Sequence, residues 1–74
     1  MDIDKLYYFF AAAESESFTK AADRCHIAQT TMSKYIAQLE KETSCALFLR
    51  SRSRLSLTKE GRLFYDGMKY IVGD

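Results

Sequence analysis

The chain is 74 residues long, 47% apolar and 28% charged, with five phenylalanines, five tyrosines, no tryptophan and no proline. That length supports one small domain with a barely sufficient core, and the aromatic and apolar content argues against disorder. Eleven basic and ten acidic residues leave a formal charge of +1, which argues against a uniformly basic polyanion binder while permitting a local basic device.

Two cysteines, Cys25 and Cys45, are too few for a zinc site and fit reduced thiols in a cytoplasmic protein. The longest apolar run, near Leu6 to Ala13, is interrupted and too short to span a bilayer, so no membrane partner is expected. No metal or other cofactor is expected either.

Ile3, Leu6, Phe9 or Phe10, and Ala13 recur at three- and four-residue steps, predicting an amphipathic first helix. Asp2 or Asp4 favours its start through the helix dipole, and Ser15-Glu16-Ser17 ends it. Ser17 then fits the N-cap of a short second helix carrying Phe18, Ala21, Ala22 and Cys25 on one face. The adjacent alanines let a neighbouring helix approach closely. His26-Ile27-Ala28 predicts a tight turn with Ile27 tucked inward. A third helix follows over about 29–43, with Met32, Ile36 and Leu39 on its inner stripe and Thr30, Ser33, Lys34, Ala37 and Lys41 on the opposite face.

In the segment CALFLRSRSRLSLT, Leu47 and Leu49, then Leu55 and Leu57, alternate with more polar neighbours about a Ser/Arg tip. That period of two predicts a two-stranded hairpin. Thr58 fits the cap of a fourth helix, with Glu60 in its first turn and Leu63, Phe64, Met68 and Ile71 on its apolar face. The helix is still periodic at Asp74, and the natural chain is expected to continue.

Two helices joined by a three-residue turn form the unit by which a second helix enters the DNA major groove. The exposed face of such a helix needs short donors and acceptors near its N-terminus, which Gln29, Thr30, Thr31 and Ser33 provide. Gln pairs bidentately with adenine, Ser and Thr bond several base edges, and Lys34 can reach guanine or phosphate. A polar helix face is more often plain solvated surface, and arginines at a hairpin tip commonly protect its edge. A basic hairpin directly after a helix-turn-helix changes the balance: Arg50, Arg52 and Arg54 then form a wing for the phosphate backbone or a narrow minor groove.

The sequence resembles the N-terminal domain of LysR-type bacterial transcriptional regulators over essentially its full length. The matching residues are MDI with Leu6 and Phe9, SFTKAA at 17–22, Gln29, Ser33 and Ile36, LEKE at 39–42, LFLR at 47–50 and LTKEG at 57–61. The resemblance implies a mainly α fold, a winged helix-turn-helix: a three-helix core, a two-stranded β wing and the start of a long linker helix. It places the DNA-binding domain in residues 1–58 and the start of a linker and dimerisation helix in 59–74. An effector-binding domain would lie outside this chain, so any small-molecule effector would act only through that missing part.

By the same resemblance, base contacts fall on Gln29, Thr30, Ser33 and Lys34. Backbone or minor-groove contacts fall on Ser17, Thr31, Arg50, Arg52 and Arg54. Dimerisation falls on Leu63, Phe64, Met68 and Ile71, although Leu63 and Phe64 could also cover the domain's own core. The implied partners are a double-stranded operator and a second copy of the chain.

The chain also departs from the family pattern. Glu16 and Ser44 stand at usual glycines, Ala28 at a usual capping serine, Cys25 and Thr43 at usual leucines, and Arg52-Ser53 at a more usual Gly-Arg. The alternative function is a winged-helix protein-interaction module that does not bind DNA. An enzyme has almost no support: the lone His26 lies in the turn with no nucleophile or base paired to it.

Overall fold

The computed structural model describes residues 3–52 and 54–72, without the side chains of residues 71 and 72. Four helices and a two-stranded antiparallel sheet follow one another as α1 (Ile3–Ser15), α2 (Phe18–Cys25), α3 (Gln29–Thr43), β1 (Phe48–Arg50), β2 (Leu55–Leu57) and α4 (Lys59–Val72). Phe9 of α1 is fully buried at the centre, among Ala12, Ala21, Met32, Ile36 and Leu39. Aromatic rings surround it: Phe48, Phe10 and Phe64 lie with centroids 5.5, 5.7 and 5.0 Å away, the Phe64 contact being edge-to-face. Phe9 and Phe48, with Tyr8, Phe10, Phe18, Phe64 and Tyr65 packed against them, thus supply much of the core of so short a chain, whereas Tyr7 and Tyr70 are exposed.

The helix ends explain the chain's path. Glu16, His26 and Ser44 all adopt the left-handed backbone conformation, with φ of 54°, 59° and 58°. After α2, the His26 N–H donates to the Asp23 carbonyl and the Ile27 N–H to the Ala22 carbonyl. This double bond pattern turns the chain sharply and packs Ile27 back onto the core, as expected from the sequence. The same pattern closes α3, where Ser44 and Cys45 donate to Lys41 and Glu40. Two of the three left-handed positions are the ones where the chain carries Glu or Ser in place of glycine; His26 is a third, with no such departure to mark it in the sequence. Such a conformation costs a residue with a Cβ about 1 kcal/mol or more.

Ser17 caps α2, its Oγ accepting the Lys20 N–H at 3.1 Å. Ala28 begins α3 with no side-chain cap. Thr58 caps α4 by accepting the Gly61 N–H at 2.8 Å, while its hydroxyl donates to the Ala46 carbonyl at 2.7 Å. That pair of bonds fastens the start of α4 to the entry of the wing.

Several sequence expectations are corrected by the packing. In α1, Leu6 and Phe9 are buried and Ala13 packs against the core as expected, but Ile3 is 52% exposed, and Ala11 and Ala12 are buried in addition. In the hairpin, Phe48 pairs with Leu57 and Arg50 with Leu55, while Leu49 sits opposite Ser56. Phe48 is therefore the inward residue of β1, and Leu49 is 59% exposed. The alternation that set Leu47 and Leu49 on one face fails because Leu47 precedes the strand and is buried in its own right.

Candidate nucleic-acid interface

The inner stripe of α3, Met32, Ile36 and Leu39, is fully buried, which fixes the rotation of the helix about its axis. Gln29, Thr30 and Lys34 are consequently exposed, and Thr31 and Ser33 are half-buried at the edges of the same polar face. Ala21 and Ala22 of α2, at 0% and 2% exposure, let α2 brace α3 from behind at close range. The outward face expected from the sequence is present.

The wing is held by specific bonds. Ser51 donates to the Arg54 carbonyl from its N–H at 3.1 Å and from its hydroxyl at 2.9 Å, closing the turn. At the wing's base, the Leu55 N–H donates to the Glu16 carbonyl at 3.2 Å. A carboxylate of α3 anchors the other strand: Glu40 Oε2 accepts the N–H groups of Leu47 and Phe48 at 2.7 and 3.1 Å. The recognition-type helix and the wing are thereby joined through one side chain.

The three wing arginines are not equivalent. Arg50 lies over the Phe18 ring at 5.1 Å, with its guanidinium 3.8 Å from Glu40 Oε1. Arg54 donates to Glu16 Oε2 at 3.2 Å. Arg52 is exposed and, among the described residues, makes no ion pair. Together with Glu16, Ser17, Phe18, Thr19, Ser51, Leu55 and Gln29, these arginines line an open trough of about 370 Å³. The start of α3, the start of α2 and the wing therefore share one concave surface.

Ser17, Gln29 and the three arginines, all singled out from the sequence, lie together on this surface, and Glu16 and Glu40 are brought to the wing without any signal in the sequence. Their partners lie 38 and 7 or more residues away, and no local pattern signals such bonds.

Helix α4 is tied to α1 and α2 by Glu14. Its Oε2 accepts the Tyr65 hydroxyl at 2.9 Å and its Oε1 pairs with Arg24 at 2.9 Å. Partial burial opposes ionisation of Glu14, but the bonds from Arg24 and Tyr65 outweigh it and hold the carboxyl below its usual range. Burial first, then the bond to Glu14, raises the Tyr65 phenol. Burial likewise raises the Cys25 thiol, against the nearby Arg24 charge; both cysteines are free and half-buried. On α4, Phe64 packs onto Phe9 while Leu63 is 65% exposed, so these neighbours divide between core and surface. Met68 is half-buried, and the side chain of Ile71 lies outside the described residues.

No group of three or more potential metal ligands occurs among the described residues. Nor is any described helix long and apolar enough to cross a membrane.

A three-helix core whose third helix presents a polar face beside an arginine-bearing hairpin defines a winged helix-turn-helix. Residues 3–62 match the family model for the bacterial regulatory helix-turn-helix protein, lysR family. The chain belongs to that family, a family of transcriptional regulators and not a class of enzyme. It is 44% identical over 72 residues to the uncharacterized HTH-type transcriptional regulator YxjO of Bacillus subtilis, covering 97% of this chain and 25% of that protein. To the HTH-type transcriptional regulator BenM of Acinetobacter baylyi it is 43% identical over 65 residues, covering 88% of this chain and 21% of BenM. The chain thus spans about a quarter of the length of the curated relatives it matches.

Among solved structures, the BenM DBD in complex with benA site 1 DNA superposes with a TM-score of 0.92 at 39% identity, over 97% of this chain and 81% of that one. The CbnR DBD in complex with DNA gives a TM-score of 0.92 at 30% identity, over 97% and 83% of the two chains.

Proposed function

We propose that residues 1–58 form a sequence-specific, double-stranded DNA-binding domain of a cytoplasmic transcriptional regulator, with no catalytic role. The observation that carries this reading is the shared concave surface on which Gln29 of α3 meets Arg50, Arg52 and Arg54 of the wing. A major-groove helix and a flanking phosphate contact must lie on one side of the molecule, and these do.

In this reading α3 enters the major groove and reads bases through Gln29, Thr30, Ser33 and Lys34. The three wing arginines, Thr31 and the hydroxyl of Ser17 meet the backbone or the minor groove. The Ser17 oxygen already accepts the Lys20 N–H, which leaves its proton free to donate to a phosphate oxygen. The uncapped N-terminus of α3 also favours a nearby phosphate. The structures of the BenM and CbnR domains with DNA support the reading, since this chain has the same fold over nearly all its length.

Helix α4 begins a linker helix through which two copies pair on a symmetric operator. Leu63, Met68 and Ile71 are assigned to the seam, and the 92% exposed Tyr70 joins Leu63 one heptad later on the same helical face. Phe64 contributes to the core before it contributes to the partner. Any small-molecule effector is assigned to the part of such regulators that this chain, about a quarter of its curated relatives' length, does not span.

Selection of binding sites from random duplexes tests the assignment. Gln29→Ala or Ser33→Ala is expected to relax base preference at one position of each half-site. Arg52→Ala is expected to weaken binding more evenly. An altered motif from the arginine variant alone would reverse the two roles.

A further inference from the structure

Glu16 is an acid on an otherwise basic surface. Its carboxylate lines the trough together with Arg50, Arg52, Arg54, Ser17 and Gln29, and its Oε2 accepts from the Arg54 guanidinium at 3.2 Å. The residue cannot easily withdraw. Its N–H donates to the Ala12 carbonyl at 3.0 Å, its carbonyl accepts the Leu55 N–H at 3.2 Å, and its φ is 54°. Backbone bonds on both sides therefore hold a negative charge where the wing leaves the body.

We propose that Glu16 is an affinity-limiting residue of the DNA interface, an internal anion that occupies Arg54 and must be displaced by a DNA phosphate. The inference rests on the DNA-binding reading of the same surface. Both side chains are more than half exposed, Arg54 at 61% and Glu16 at 55%, so the pair is weak enough to exchange. Binding then swaps one carboxylate for one phosphate at Arg54. The arginine's net gain is smaller than that of an unpaired cation, and the carboxylate left behind repels the duplex. The chain holds its wing in place with Glu16 while tempering its attraction to DNA of any sequence.

The test measures binding of the 74-residue chain to a short duplex as a function of salt, for the wild type, Glu16→Gln, Arg54→Ala and the double variant. Glutamine keeps the shape and removes the charge, and thermal unfolding of each variant verifies that it folds. We expect Glu16→Gln to bind several-fold more tightly at roughly 50 mM salt, with a salt dependence steeper by about one counterion. Its advantage should then be about threefold larger at roughly 50 mM than at roughly 200 mM. Arg54→Ala should cost more in the Glu16→Gln background than in the wild type, which is the signature of competition for one arginine.

Unchanged or weaker binding by Glu16→Gln overturns the proposal, the latter because the carboxylate would then be positioning Arg54 for DNA. A gain as large without Arg54 as with it overturns the competition, since repulsion alone would then account for it. If the wild type itself shows no salt-sensitive binding, the DNA-binding reading fails and takes the proposal with it. That result is distinguishable from a salt-sensitive wild type that Glu16→Gln merely equals.

Discussion

The Leu47 amide nitrogen lies 2.7 Å from Glu40 Oε2, and this bond joins the third helix to the wing. The same oxygen takes the Phe48 N–H, and both of these residues are buried. A charged acceptor for two main-chain donors at a partly buried site is among the stronger kinds of hydrogen bond. We expect Glu40→Ala to destabilise the domain by about 2 kcal/mol or more, since it strands both donors. Urea unfolding measures it. A loss within a few tenths of a kcal/mol would mean that water replaces the carboxylate at no cost.

The two glycines of α4 respond oppositely to alanine. A Cβ at Gly67 meets nothing within 4 Å, whereas one at Gly61 would overlap the Leu47 carbonyl oxygen. Gly67→Ala should stabilise the domain by about 0.5–1 kcal/mol through helix propensity alone. Gly61→Ala should destabilise it by about 1–3 kcal/mol, because α4 must move away from the wing's entry. Parallel denaturant titrations of the two variants give both signs.

Ala28 begins α3 without a side-chain acceptor. Ala28→Ser should supply one and raise stability by about 1 kcal/mol. The midpoint of chemical unfolding should rise with an unchanged slope. No rise would show that the turn after α2 holds residue 28 outside capping geometry.

Glu14 links α1, α2 and α4, and its carboxyl lies below its usual range because bonds from Arg24 and Tyr65 overcome partial burial. A group whose value is depressed by folding stabilises the native state above its unfolded value, about 4.3 for Glu, and the contribution disappears as pH falls through the folded value. Tyr65 carries the opposite sign. Burial and the bond to Glu14 raise its phenol, so its contribution is complete below about 10 and is lost as pH rises through the folded value. Glu14→Gln should therefore flatten the acid limb of stability as pH falls from about 5 through the folded value. Both side chains of the Glu14–Arg24 pair are more than one-third exposed, at 41% and 56%, so the change should be small and should shrink with added salt. Urea midpoints across that range check it.

The helices were legible because their apolar spacing is regular and caps mark their starts: Ser17 and Thr58 act as the sequence suggests. The outward residues of α3 were legible for the same reason, since burial of Met32, Ile36 and Leu39 leaves Gln29, Thr30 and Lys34 outside. The strand register was not. Leu47, Phe48 and Leu49 are consecutive apolar residues, and a strand of three residues is too short for periodicity to choose among them. The Glu40 bonds to the Leu47 and Phe48 amides accompany the observed arrangement, and they are tertiary. The left-handed backbone at His26 was hidden as well, because its cause is the bond pattern at the end of α2 and not the histidine itself.

The central claim is that the outward face of α3 and the wing engage a duplex together. Amide chemical-shift mapping of the isotopically labelled chain, titrated with a duplex obtained by site selection, tests it most directly. Perturbations are expected to concentrate at residues 29–34 and at the wing arginines 50, 52 and 54, with residues 3–12 of α1 little changed. Shifts confined to the Leu63 and Tyr70 face of α4, or no shifts at a saturating duplex concentration, would contradict the account.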